Sequence, residues 1–168
     1  MSFHTNPWYI ITLIGEPEIW LALSGVFALA YVVFHFAFPK RRKPFRNFLL
    51  VFLPSLWLTV GLVVSMKVLV PVERPCIPAT NPYCDIDPSF PSAHAATAFS
   101  VFTSLHLAAR KRKTLCLYFI PVLVAASRIA LGVHTPADVI AGAAIGMAVP
   151  VAALKAQKYL FRAWKIRL

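Results

Sequence analysis

Residues 19–46 read IWLALSGVFALAYVVFHFAFPKRRKPFR. Twenty-one positions pass without a formal charge, and then five cations fall within seven: Lys40, Arg41, Arg42, Lys43 and Arg46. A helix rising 1.5 Å per residue crosses a hydrocarbon core of about 30 Å in roughly 20 residues, and a basic flank of this kind stays on the cytoplasmic side. The rest of the chain agrees that lipid is the solvent. Of its 168 residues, 59% are hydrophobic and 14% charged, against about 45–50% apolar in an ordinary soluble domain. The length suits one domain over residues 1–168, an all-α integral membrane bundle.

Four further apolar stretches follow the first, which covers about Ile19–Phe38. They are about Phe48–Val70 with Pro54 inside, about Ala93–Ala109, about Thr114–Leu131 with Pro121 inside, and a last one from near Pro136 past Leu154. Five transmembrane helices are therefore expected. The opening NPWYIITLIG is too short to span. Its Trp8 and Tyr9 point to an interfacial segment over residues 1–17, and the first ten residues lack the basic start of a secretory signal.

Charge sets the expected orientation. The basic loop 40–46, the run RKRK at 110–113 and the tail cations Lys155, Lys158, Arg162, Lys165 and Arg167 fall on one side. That side is cytoplasmic, with the N-terminus outside and the C-terminus inside. The net charge of +11 thus fits an anionic membrane surface and not nucleic acid. Lys67, Arg74 and Arg128 are the remaining cations. They lie toward the outer side with all six acids, Glu16, Glu18, Glu73, Asp85, Asp87 and Asp138. Charge at a membrane-embedded position usually marks function. Small residues in PSAHAATA and AGAAIGMA, with the Gly142–Gly146 step, predict closely packed helix faces.

Three clusters meet at that outer face: KVLVPVERP (67–75), PSAH (91–94) and SRIALGVHTPAD (127–138). Together they resemble the type 2 phosphatidic acid phosphatase (PAP2) superfamily, whose pattern is KxxxxxxRP, PSGH and SRxxxxxHxxxD. Its members include membrane lipid phosphatases and soluble vanadium haloperoxidases. Every spacing fits, and the one departure is Ala93 where the family usually has glycine.

The chemistry follows from the residue types. Phosphoryl oxygens carry negative charge, which Lys67, Arg74 and Arg128 can neutralise, the arginines in two-pronged fashion. Ser92 can donate a hydrogen bond, and the backbone from Ala93 onward adds N–H groups at a helix start. The resemblance implies that His134 is the nucleophile, passing through a phosphohistidine, and that His94 is the general acid. An attacking imidazole needs its other nitrogen held by an acceptor, for which Asp138 is placed. The same TPAD also reads as a helix start, with Thr135 as cap and Pro136 at the first position, so Asp138 can do both jobs. Ser127 is expected to bond locally. His4, His35 and His106 match no motif and are read as structural.

No metal site or cofactor is expected, since side-chain cations supply the charge. Asp85 and Asp87 are read as solvated residues of a periplasmic loop, 71–91, that holds six prolines. Cys76 and Cys84 lie in this loop and can pair if it faces an oxidising compartment. Cys116 is read as packing.

The expected function is a lipid phosphatase of the bacterial inner membrane with its site on the periplasmic face. Its partners are the bilayer and a phosphorylated lipid. The shortness of the chain resembles small bacterial enzymes and favours lipid A 1-phosphate. Phosphatidylglycerophosphate and undecaprenyl pyrophosphate are the alternatives. A non-catalytic anionic-lipid-binding protein would explain the spans and the cations but not three motifs at matched spacing. Haloperoxidase chemistry fits poorly with so small and membrane-embedded a chain.

Overall fold

The computed structural model of the protein describes residues 6–37 and 42–163. Lys40, Arg41, Lys165, Arg167 and His4 of the sequence reading lie outside them, as does the side chain of His35. Six α-helices carry the described residues: α1 (Pro7–Thr12), α2 (Pro17–Ala37), α3 (Arg42–Leu69), α4 (Ala93–Ala109), α5 (Phe119–Ala130) and α6 (Pro136–Ala163). Short 3₁₀ helices at Leu13–Gly15 and Arg112–Tyr118 precede α2 and α5. No strand occurs among the described residues.

α3, α6, and α5 together with its 3₁₀ lead-in are each long and apolar enough to cross a membrane. The α1–α2 pair, bent by 46° at residue 16, passes that test as one broken span. α4 is the short column. Its 17 residues rise only about 26 Å, and ten of them are buried, so it is enclosed by its neighbours. The fourth expected span is found at Arg112–Ala130, with its first turns, Arg112–Tyr118, 3₁₀ and α5 proper starting at Phe119.

The N-terminal segment packs on the bundle. Asn6 caps α1 by accepting from the Trp8 N–H at 3.0 Å, and Pro7 takes the first position, where no N–H is needed. α1 packs on α5, and the following 3₁₀ turn packs on α4. Thr12 and Gly15 are buried there. A Cβ at Gly15 would stand 2.7 Å from the His94 carbonyl oxygen, so only glycine lets the chain come this close.

The small-residue faces meet as expected, where α4 lies against α6. A Cβ at Gly142 would lie 2.5 Å from the Ser92 carbonyl, and one at Gly146 would run into the Ala96 carbonyl. The glycines thus set the depth at which α6 seats against the start of α4. On the other flank, Phe52 and Leu56 of α3 are fully buried with Val101 of α4. Phe52 stacks on Phe48 at 5.0 Å and meets Phe27 of α2 edge-on at 5.8 Å. Thr59 donates to Ser100 at 3.0 Å, a buried polar link between α3 and α4. Pro54 has no N–H for the Leu50 carbonyl, and Gln157 of α6 donates to that oxygen instead, at 3.2 Å. His106 takes a structural part through Thr114, 2.7 Å away. Cys116 is exposed rather than packed.

Candidate active site

The helix ends deliver the three sequence clusters to one place. Lys67 sits in the last turn of α3, Ser92 holds the N-cap position of α4 without a side-chain capping bond, and His94 is in the first turn of α4. Arg128 is in the last turn of α5, and Asp138 is in the first turn of α6. Between α5 and α6, Gly132 turns the chain with φ of 70°, a left-handed value suited to glycine just past a helix end. That turn swings His134 to the same side as Arg128. A cavity of about 380 Å³ results, lined by Lys67, Arg74, Ala93, His94, Arg128 and His134.

His134 has a defined orientation. Its Nε2 lies 3.2 Å from Nη1 of Arg74. A guanidinium only donates, so Nε2 is the acceptor and the ring proton is assigned to Nδ1. Nδ1 points to Asp138, whose Oδ2 is 3.5 Å away, long for a hydrogen bond, and Nδ1 makes no other. The same Oδ2 accepts the Thr135 N–H at 2.8 Å, while Thr135 Oγ1 accepts the Asp138 N–H at 3.3 Å. This reciprocal cap starts α6 and holds the carboxylate beside the imidazole. Burial, then the positive charges of Arg128 and Arg74, push His134 down to about 3, against a smaller opposing pull from Asp138. The ring is therefore neutral at any ordinary pH.

The cations are buried and paired. Lys67 Nζ lies 2.6 Å from Asp87 Oδ2 and also donates to the Pro88 carbonyl. Arg74 Nη2 lies 2.5 Å from Asp87 Oδ1 and 3.2 Å from Asp85 Oδ2. Arg128 Nη2 reaches Asp85 Oδ2 at 3.4 Å, and its Nη1 donates to Thr12 at 3.1 Å. Two loop carboxylates thus bridge all three cations, which corrects their reading as merely solvated. Burial works to raise the Asp87 carboxyl, but hydrogen bonds from Lys67 and Arg74 outweigh it and hold the group below its ordinary value. Arg128 Nε and Ser92 Oγ are buried without a hydrogen-bond partner. Ser127 bonds locally, to the Val124 carbonyl at 2.6 Å.

The carboxylates are held by the loop that carries them. A disulfide joins Cys76 to Cys84, just before Asp85. Asn81 donates to the Leu131 carbonyl at 2.9 Å, and Tyr83 lies against Tyr9 of α1 at 5.3 Å. No cluster of three or more metal-ligating side chains occurs among the described residues.

Comparison with known proteins gives this site its family. The model of the PAP2 superfamily matches residues 48–162. The chain belongs to the PAP2 superfamily. It is a PAP2 phosphatase built as a membrane helical bundle. Two solved structures share the fold. One is the transmembrane PAP2 type phosphatidylglycerolphosphate phosphatase from Bacillus subtilis, with a TM-score of 0.65 and 20% identity over 99% of this chain and 80% of that one. The other is Aquifex aeolicus LpxE, with a TM-score of 0.52 and 22% identity over 92% of this chain and 99% of that one. None of the curated proteins compared with the chain matches it.

Two residues at the PAP2 site escaped the motifs. Glu16, at the bend between α1 and α2, lies 2.9 Å from His94 Nε2, and Thr12 supports Arg128. A carboxylate acceptor places the His94 proton on Nε2, at the cavity wall. The one sequence signal was the Gly15–Pro17 interruption of an apolar run, the kind of break that lets backbone and side chain approach a site.

Proposed function

We propose that this PAP2 phosphatase hydrolyses a phosphate monoester or pyrophosphate on a lipid headgroup through a phosphohistidine at His134. The observation that carries the reading is the His134–Arg74 contact. It leaves the Nε2 lone pair facing the cations that would hold the phosphoryl oxygens. Substrate phosphate displaces Asp87 and Asp85 from Lys67, Arg74 and Arg128, and the unpartnered Ser92 hydroxyl and Arg128 Nε complete the cradle. Nε2 of His134 attacks phosphorus, the bond to the leaving oxygen breaks, and His94, entering the step as the imidazolium that Glu16 and the negative charge of the substrate favour, passes its Nε2 proton from Glu16 to that oxygen and becomes neutral. Asp138 closes on the Nδ1–H of His134 as positive charge develops there. His94 then takes a proton from water, the oxygen of that water attacks phosphorus, and the N–P bond breaks to return neutral His134.

Side-chain cations suffice for the charge, so full turnover is expected in excess chelator. Loss of activity in EDTA restored by magnesium or zinc would refute this. The basic helix ends support a cytoplasmic C-terminus and a cavity on the periplasmic face of a bacterial inner membrane, where a Cys76–Cys84 bond would be stable.

Lipid A 1-phosphate is the favoured substrate, because this chain matches LpxE almost end to end. The higher TM-score supports phosphatidylglycerophosphate as the second reading. A phosphate-release panel of lipid A, phosphatidylglycerophosphate, phosphatidic acid and undecaprenyl pyrophosphate in one detergent decides between them. Fastest release from lipid A is expected. No release from any of the four would refute lipid phosphatase activity altogether.

A further inference from the structure

We propose that the end of the bundle opposite the catalytic cavity holds a second site, for the phosphate of a lipid headgroup. A cavity of about 360 Å³ opens there between the start of α3 and the ends of α4 and α6. Arg46, Arg110, Lys158 and Arg162 line it. Counting helix rise from Arg46 to Lys67 along α3, it lies about 30 Å from the catalytic site.

Charge separates this cavity from an ordinary basic membrane flank. At the catalytic end, each cation has a carboxylate partner. Here none is within reach, because all six acidic side chains of the chain belong to the opposite end. Arg46 Nε is buried and makes no hydrogen bond among the described residues. Among the described residues no acidic side chain supplies a counter-charge, which leaves these cations open to an anion. The cavity floor is apolar, formed by Leu50, Val51, Leu107 and Leu154, which suits an anion carrying an acyl chain. The walls are fixed, since Gln157 ties α6 to the Leu50 carbonyl and the C-cap N–H of Arg110 bonds the His106 carbonyl at 2.9 Å. Basic pockets between transmembrane helices are a recurrent way of holding anionic headgroups.

A phosphate here bridges α3, α4 and α6, the helices whose far ends carry Lys67, His94 and Asp138. The site rests on the membrane placement of the chain but not on the chemistry at His134. It is tested by thermal unfolding of the whole purified chain in neutral detergent, titrated with phosphatidylglycerol, phosphatidylcholine or inorganic phosphate. A saturable rise in Tm with phosphatidylglycerol and none with phosphatidylcholine is expected. Losing two cations in Arg110→Gln/Lys158→Gln should weaken that response about thirtyfold, while Arg74→Gln at the catalytic end leaves it unchanged. An inorganic phosphate response matching that of the lipid would show that the apolar floor is not used and overturn the headgroup assignment. An unchanged response in the double variant, a response lost in Arg74→Gln, or an equal response to phosphatidylcholine would each overturn the site.

Discussion

Removing the charge of Asp87 should tighten the hold on a phosphate mimic. Asp87 lies 2.6 Å from Lys67 and 2.5 Å from Arg74, and its side chain is 46% exposed. A charge-assisted bond contributes about 1.5–3 kcal/mol when buried, and an exposed ion pair about 0.2–1 kcal/mol. Two bonds at a half-exposed group place the competition between these limits, at about 1–2 kcal/mol. An incoming phosphoryl group must overcome it. Asp87→Asn keeps the backbone carbonyl on Arg74 Nε and leaves Asp85 on both arginines. At about 1.4 kcal/mol per tenfold, the inhibition constant for vanadate should fall roughly five- to thirtyfold. The assay is vanadate competition against phosphate release from a lipid, in wild type and variant. Because Asp87 is held below its ordinary value of 3.8, the difference should persist from pH 5 to pH 8. An unchanged or weakened vanadate affinity would refute the view that this carboxylate stands in the place of phosphate.

Three further outcomes follow from the geometry. His134 is pushed to about 3 in the folded state from an ordinary 6.5, so between these values the unfolded chain binds the extra proton. Its contribution to stability is intact above pH 6.5 and is lost toward pH 3, by on the order of a few kcal/mol. His134→Gln should therefore flatten the fall of Tm with acid, and an identical fall in the variant would contradict the burial of a neutral ring. Glu16→Gln should lower kcat about tenfold with KM little changed and shift the pH profile, since Glu16 positions His94; unchanged kcat and profile would make Glu16 merely structural. Gly146→Leu should cost about 1–3 kcal/mol of stability by overpacking the α4–α6 contact, and a Tm equal to wild type in detergent would show that the helices are not so close.

The parts legible in the sequence were those written in short-range patterns. Apolar runs revealed the helices because lipid demands about 20 apolar residues per crossing. SRIALGVHTPAD revealed the His134–Asp138 pair because one turn of chain joins them, and GxxxG revealed a closely packed helix face, though not that α4 is its partner. What stayed hidden depends on distant packing. Glu16 and His94 are 78 positions apart, and they meet only because Gly15 lets the chain press on α4. The start of α4 is read easily from PSAH, and its small residues point to one packed face, yet its 17 residues do not say that its neighbours enclose it rather than leave it facing lipid. Asp85 and Asp87 sit among prolines and polar residues, a composition shared by solvated loops. Their pairing with Lys67, Arg74 and Arg128 comes from the fold of the disulfide-closed loop and not from its residues.

The central claim is that His134 becomes covalently phosphorylated. Purified protein mixed with an excess of lipid carrying a radiolabelled phosphate, quenched in base to preserve the N–P bond, tests it directly. Label on the protein that maps to His134, and is absent from His134→Ala, is the expected result. Unlabelled protein during active turnover, or full turnover by His134→Ala, would contradict it.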